Sequence, residues 1–236
     1  MSEELQVKSK QRVADHGEVF TAEREVKAMC DLVKNETERI DSRFLEPACG
    51  DGNFLREVLA RKLETVRRRY GKSAPDFEFY SLLAVTSIYG VDLLADNVAA
   101  CQERLFEQWN RAYTAVCRED ADDRAREIAR FVLKKNILCG NALSLMRVDR
   151  SGQDTDEPII FTEWGFIGTD VKRREFRLDV LLTLEGEEKL RENQTFSFLN
   201  DDPLCKDYWE TDPKTGARIP KPVREFPPVY YKDIQE

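Results

Sequence analysis

Apolar residues recur along the chain with helical spacing in some segments and form short continuous runs in others. The helical spacing, in which every third or fourth residue is apolar, predicts four helices. They are residues 21–33 with Thr21 as N-cap, residues 54–68, a helix that Asp96 can cap and whose stripe is Val98, Cys101, Leu105 and Trp109, and the charged stretch 119–130. Apolar runs predict strands at residues 43–46, 87–91, 136–139, 158–161 and 176–184. Helices and strands that alternate in this order predict an α/β fold with a parallel sheet.

Two further segments interrupt the pattern. Residues 71–75 are rich in glycine and proline and end the second helix, and residues 77–80 open a short additional segment. From residue 185 onward prolines, acids and isolated aromatics replace the periodic apolar residues. We therefore interpret residues 1–184 as one domain and residues 185–236 as an extended tail that wraps around it or binds a partner.

The composition favours one soluble domain. The chain has 236 residues, of which 41% are hydrophobic and 35% charged. No apolar run has the length of a membrane span, and the first ten residues lack the apolar core of a signal peptide, so we expect a cytoplasmic protein without membrane contact. The six cysteines form no CxxC pair, which favours reduced thiols and predicts no structural metal.

The charge distribution leaves two interpretations open. The net charge is −8, which does not indicate nucleic-acid binding, but two basic clusters exist. They are Arg67, Arg68 and Arg69 with Lys72, and Lys172, Arg173 and Arg174 with Arg177. Such runs are typical of solvated helix faces and strand edges, and DNA contact is the alternative.

A glycine-rich segment, FLEPACGDGNFL at residues 44–55, lies between a predicted strand and a predicted helix. Gly50 and Gly52 allow a sharp turn and a close approach of the backbone to a ligand. The N–H groups at the start of the following helix point into the same crevice. Open α/β sheets bind their ligands at such a place, outside the carboxyl end of a strand. A tight turn without a ligand is the alternative.

The nine residues EPACGDGNF resemble the glycine-rich signature of S-adenosylmethionine-dependent DNA methyltransferases of the adenine-N6 type. The resemblance implies a Rossmann-like class I methyltransferase sheet with helices on both faces, which this short chain could leave incomplete, and S-adenosyl-L-methionine as the cofactor. It assigns cofactor contacts to Glu46, Pro47, Ala48, Gly50, Gly52, Asn53 and Phe54.

Three other segments resemble the same family in the expected order. Residues 16–29, HGEVFTAEREVKAM, place Phe20 and Thr21 against the methionine end of the cofactor, although Thr21 also fits a helix cap. In IYGVDLLADNV, Asp92, followed by Leu93, can accept hydrogen bonds from a ribose diol, or can cap a helix. In NILCGNAL, Asn141, followed by Ala142, stands where the family usually has an aspartate that meets the adenine amino group.

The family's Asn/Asp/Ser-Pro-Pro-aromatic tetrapeptide has no counterpart after the fourth predicted strand, where the chain reads FTEWG. Glu163 could accept a hydrogen bond from an amine and Trp164 could stack on a base, or the segment is a plain strand end with a packed tryptophan. Residues 200–203 (NDDP) and 226–230 (FPPVY) match the tetrapeptide only in part. His16 is the only histidine, and we interpret it as a positioning residue of the leader.

The resemblance implies an adenine-specific DNA methyltransferase, as a subunit or short form in a restriction-modification or phage-defence system. DNA is then the substrate, bound alone or only together with another subunit, and a specificity or partner subunit is expected because no recognition region follows residue 185. A catalytically silent cofactor-binding module that acts through a partner is the alternative. Methyl transfer to a small molecule or a protein is a third hypothesis.

Overall fold

The computed structural model describes Arg12, residues 21–182 and residues 208–235. Its helices are α1 (Glu23–Leu32), α2 (Lys34–Thr37), α3 (Asn53–Tyr70), α4 (Ala74–Thr86), α5 (Ala95–Cys117) and α6 (Asp123–Asn136), with short 3-10 turns at Arg118–Asp120 and Tyr231–Asp233. Its strands are β1 (Phe44–Glu46), β2 (Ile88–Asp92), β3 (Ile137–Cys139), β4 (Met146–Val148), β5 (Asp154–Pro158), β6 (Ile160–Ile167), β7 (Asp170–Arg177), β8 (Trp209–Thr211), β9 (Arg218–Pro220), β10 (Arg224–Glu225) and β11 (Val229–Tyr230). The predicted mixed α/β architecture is confirmed.

A three-stranded parallel sheet in the order β1-β2-β3 lies at the centre. Leu45 is opposite Tyr89, and Asp92 is opposite Cys139. The connections run through α3 and α4, then through α5 and α6, as parallel strands require. The stripe predicted for α5 is in the core, since Cys101, Leu105 and Trp109 are fully buried. The carboxyl ends of all three strands therefore meet at one edge.

A buried lysine holds the segment that leads into β1. Lys62 on α3 is inaccessible to solvent, and its ammonium donates to the carbonyls of Ile40 (3.1 Å) and Ser42 (2.5 Å), and also to that of Arg39. Burial lowers the pKa of Lys62 to about 7. These three bonds pair carbonyls of the irregular segment between α2 and β1, and they fix where the strand begins.

A second, antiparallel sheet contains β6 and β7, and β10 and β11 pair with the other edge of β7. It is tied to the parallel sheet by the hydroxyl of Tyr89, which donates to the carbonyl of Thr162 at 2.9 Å. The remaining strands form two small hairpins, β4-β5 and β8-β9. The sheets of this part of the chain are therefore small.

The end of the chain is attached to the core through a buried carboxylate. Glu78 on α4 is 3% exposed and accepts from the hydroxyls of Tyr113 (2.6 Å) and Tyr231 (2.7 Å). Lys232 lies 2.7 Å from the same carboxylate and 2.9 Å from that of Asp122. The last described residues are thus bound to two helices of the core.

The structure corrects several predicted elements. The predicted end of the second helix at residues 71–75 is confirmed, since α3 ends at Tyr70, but the short segment predicted at residues 77–80 is part of α4, a helix of thirteen residues. The predicted fourth strand is longer, at Ile160–Ile167, and is antiparallel to β7 instead of joining the parallel sheet. The strand predicted at 176–184 instead ends at Arg177, residues 178–182 are helical, and 183–184 lie outside the described residues.

The two predicted helix caps were also wrong. Ala22 is the N-cap of α1, and Leu94 is the N-cap of α5, so neither Thr21 nor Asp96 occupies the capping position. Asp96 instead accepts from Arg12 at 2.8 Å in the first turn of α5. No helix among the described residues has the length and apolar character needed to cross a membrane.

Candidate functional site

A crevice of about 550 Å³ lies at the carboxyl ends of the parallel strands. It is lined by residues from four of the segments singled out in the sequence, namely Thr21, Glu46, Pro47, Ala48, Gly50, Asn53, Phe54, Asp92, Leu93, Asn141 and Ala142, together with Val26, Met29, Cys49, Leu94, Asn97, Gly140 and Leu143. Phe20 and His16 lie outside the described residues. Pockets of this size hold small-molecule ligands in other proteins.

The glycine loop borders the crevice, and two of its residues have a left-handed backbone conformation. Gly50 has φ 52° and Gly52 has φ 93°, both in the region that favours glycine. A Cβ at Gly52 would also lie 2.7 Å from Cys101 Sγ on α5. Gly52 itself does not line the crevice, and its role is to let the loop pack against that helix.

Asp92 connects the loop to the next helix. Its carboxylate accepts from the backbone N–H of Gly50 at 2.8 Å, from that of Leu94 at 2.9 Å and from the side-chain amide of Asn97 at 3.1 Å. A carboxylate has about four lone-pair positions, so one remains for a ligand. Asp92 thus orders the start of α5 and also faces the crevice, while its contact with a ribose diol stays a prediction.

Glu46 contributes a second carboxylate to the crevice. Burial raises the pKa of the Glu46 carboxyl, and the backbone of Ala48 opposes that shift. A buried acid with a raised pKa is stabilised in its ionised form by a cationic partner. The crevice therefore has a place suited to a positively charged group.

The sequence did not reveal the cation that holds the loop. Arg104 on α5 donates to the carbonyl of Asp51 at 2.8 Å and to the side-chain oxygen of Asn53 at 2.9 Å, and it forms an ion pair with the Asp51 carboxylate. The sequence offers one signal for this role. Arg104 follows Cys101 by three residues, so the two side chains lie on the same face of the helix. Arg104 thus locks the loop from outside the crevice.

Asn141 is partly occupied by bonds within the protein. Its side-chain oxygen accepts from the N–H of Leu143 at 3.0 Å, and its amide donates to Asp154 at 3.0 Å. One N–H and one lone pair remain for a ligand. Leu143 is 97% exposed and Met29 50%, so apolar side chains border the mouth of the crevice.

The two weak catalytic candidates lie away from this crevice. Trp164 is 5% exposed, donates from its indole to Asn136 at 2.9 Å and packs edge-on against Phe131. Its proposed stacking on a base is therefore corrected, because the ring is buried in the core. Glu163 is held by Arg43 at 2.9 Å and by Arg174, and it lines a different groove.

Of the two partial tetrapeptide matches, residues 226–230 do not line the crevice. Residues 200–203 lie outside the described residues. Residues 226–230 run along the edge of β7, where the N–H of Phe226 donates to the carbonyl of Arg173 at 2.9 Å.

Comparisons with protein-family models, with curated proteins and with solved structures find no match for this chain. Within the described residues, no group of three or more histidine, cysteine, aspartate or glutamate side chains could hold a metal ion. The interpretation of the crevice accordingly depends on its own geometry and chemistry.

Proposed function

We propose that the crevice binds S-adenosyl-L-methionine and that the chain is a class I methyltransferase module of the DNA adenine-N6 type, which works together with a second subunit. The observation that carries the proposal is the loop at residues 46–54, with left-handed Gly50 and Gly52, placed beside Asp92 in a crevice of about 550 Å³. A Rossmann-like arrangement is supported by the parallel order β1-β2-β3 with the loop after β1.

The charged groups of the crevice match the two ends of this cofactor. Asp92 has one acceptor position left for a ribose hydroxyl, and each charge-assisted bond contributes about 1.5–3 kcal/mol. Glu46 is a partly buried acid whose raised pKa fits the ammonium of the methionine moiety. The N–H groups at the start of α3 suit the carboxylate of the same moiety.

Calorimetric titration with S-adenosylmethionine and with its demethylated product tests the binding. We expect micromolar affinity for both ligands. Asp92→Asn should weaken binding by about tenfold or more, because the amide loses the charge and presents a donor where acceptors are needed. The matched control is Asp123→Asn, which changes an exposed acid in the first turn of α6, away from the crevice.

Two results would contradict the proposal. The crevice would not be a cofactor site if neither ligand bound at millimolar concentration. Equal binding by Asp92→Asn and the unchanged protein would mean that the cofactor lies elsewhere.

A catalytically silent cofactor-binding module is the second candidate function. It is favoured by the burial of Trp164 and by the ion pairs of Glu163, because neither of these catalytic candidates lines the crevice. Transfer of a radiolabelled methyl group to unfractionated DNA distinguishes the two. Transfer by the chain alone excludes the silent module. Cofactor binding supports the silent module when transfer stays absent even after a host-cell extract that contains the second subunit is added.

A further inference from the structure

Among the described residues, the first strand of the parallel sheet has a partner strand on one side only. In β1, Phe44 donates to the carbonyl of Ser87 in the direction of β2 at 2.9 Å, and the register makes Glu46 point the same way. Because neighbouring residues of a strand direct their backbone groups to opposite sides, the N–H and C=O of Leu45 point outward. Within the described chain nothing bonds to them, and Leu45 is 39% exposed.

An apolar groove of about 470 Å³ runs beside this edge. Its lining is mostly apolar and comes from β1, β6, β7, the helical residues 178–182 and β9; it includes Leu45, Phe161, Phe176, Leu178, Leu181 and Ile219. The carbonyl of Thr162 on β6 faces the parallel sheet and accepts from the hydroxyl of Tyr89. The groove thus has, along one wall, a backbone edge that no described residue pairs, and apolar side chains along the others.

The rim of the groove has an excess of positive charge. The guanidinium groups of Arg43 and Arg174 both pair with the single carboxylate of Glu163. Arg43 is 58% exposed and Arg174 38%, so both can accept a further anionic partner. An occupant with an acidic side chain at this position would complete the charge balance.

We propose that this groove binds an extended strand of a second protein, which pairs with the backbone of Leu45, lays apolar side chains against the groove and places an acidic side chain between Arg43 and Arg174. An unpaired edge offers one donor and one acceptor in the geometry of a ladder, and an extended peptide matches it in a way that a compact apolar ligand does not.

Binding of a strand at this edge does not require the cofactor, but the bound strand would lie close to the crevice. The residue after Leu45 is Glu46, which lines the crevice, so a strand bound at this edge would lie next to the glycine loop. A ligand site of an open α/β sheet is flanked by strands on both sides of its switch point, and the described residues fill only the β2 side. The second chain would border the cofactor site on the open side.

An array of short fluorescent peptides with alternating apolar and polar residues tests the proposal by anisotropy with the whole chain. The apolar residues vary among valine, isoleucine, leucine and phenylalanine, and the central polar residue is aspartate or lysine. We expect the aspartate series to bind about tenfold more tightly. N-methylation along a binding peptide should abolish affinity at alternate positions only, because a strand pairs with an edge through every second residue.

Three protein variants locate the binding. Leu45→Pro removes the outward N–H but no bond to β2, and it should reduce affinity about tenfold or more, whereas Leu45→Ala retains the N–H and should reduce it less. Arg43→Glu should reverse the preference from aspartate to lysine peptides. Arg67→Glu, on the exposed face of α3, is the matched control and should leave it unchanged. If Leu45→Pro does not fold, the N-methylated peptides provide the same test on the unchanged protein.

Three outcomes would overturn the proposal. The absence of binding by every peptide would show that the edge is closed to strands. Binding that survives both Leu45→Pro and N-methylation at every position would reduce the groove to a general apolar site. Binding confined to a peptide copied from residues 183–207 would assign the groove to the chain itself.

Discussion

Two constraints act on Gly52, a left-handed backbone and a close contact with α5, and mutation can separate them. Its φ of 93° disfavours any side chain, and a Cβ would lie 2.7 Å from Cys101 Sγ. Gly152 has a similar φ of 79°, but a Cβ there would have nothing within 4 Å. Comparison of the two positions therefore separates backbone strain from steric conflict.

We predict that Gly52→Ala lowers the free energy of unfolding by about 2–4 kcal/mol, since backbone strain costs about 1 kcal/mol and overpacking about 1–3 kcal/mol. Gly152→Ala should cost about 1 kcal/mol, from strain alone. Denaturant unfolding measures both, and Cys101→Ala in the Gly52→Ala background should recover part of the loss. Equal costs at the two glycines would contradict the packing role of Gly52.

Glu46 gives the site a dependence on pH. Because burial raises the pKa of its carboxyl, the folded chain binds a proton more tightly than the unfolded chain, and stability falls as pH rises from 4.5 through the raised pKa. At neutral pH the buried charge is a cost, which a cationic ligand offsets.

We predict that Glu46→Gln is more stable than the unchanged protein at pH 7 but binds S-adenosylmethionine more weakly. In the unchanged protein, the affinity for S-adenosylmethionine should fall as pH drops through the raised pKa of Glu46. In Glu46→Gln, this affinity should no longer depend on pH in that range. Titration calorimetry across a pH series and denaturant unfolding at pH 7 check the two parts. A pH dependence that persists in Glu46→Gln would assign it to another group.

At the scale of elements, α4 is the longest helix that the sequence did not predict, and it is largely buried. In α4, Phe77, Leu82, Ala84 and Val85 are at most 3% exposed, and apolar residues occur on all its faces. A helix that is apolar all round has no amphipathic period to detect. The usable signal was its start, where Ser73 is an N-cap that accepts from the N–H of Asp76 and Pro75 stands in the first turn.

The glycine loop and the parallel strands could be predicted because their signals are local. Residues 44–46 and 88–92 are short apolar runs that end in an acid, and the glycines lie between them. The pairing of β7 with β10 and β11 could not be predicted, since the partners are about fifty residues apart and a strand edge carries no sequence signal for its register.

The attachment of the C-terminal segment can be tested at Lys232. Glu78 and Asp122 hold the pKa of Lys232 well above its usual range, although burial opposes them. We predict that Lys232→Met lowers the free energy of unfolding by about 1–3 kcal/mol, because the buried Glu78 carboxylate loses its cation. Lys221→Met, at an exposed position of the same segment, is the control and should change it by less than about 0.5 kcal/mol. Similar thermal unfolding of both variants would contradict the attachment.

At the scale of the whole molecule, the charge pattern bears on DNA. Most cations of the two basic clusters are engaged within the protein: Arg67 with Glu64, Lys172 with Glu225, Arg174 with Glu163, Arg177 with Asp179, and Arg173 with the carbonyl of Gln235. Paired cations release few counterions on binding phosphate, and the net charge of −8 repels DNA at long range. The isolated chain is therefore poorly equipped to hold a duplex.

We predict that duplex DNA binds the isolated chain more weakly than about 10⁻⁴ M at physiological salt, with a shallow dependence of log affinity on log salt. Glu64→Gln with Glu225→Gln frees two cations, and should strengthen binding and steepen the slope by about 0.9 for each phosphate then contacted. Anisotropy of labelled DNA across a salt series measures both. Micromolar binding by the unchanged chain, with a slope of log affinity against log salt of about −4, would mean that the basic clusters contact phosphate despite their ion pairs. In that case DNA binding would not require a second subunit, whereas weak and salt-insensitive binding would, under the proposed function, leave DNA binding to the partner.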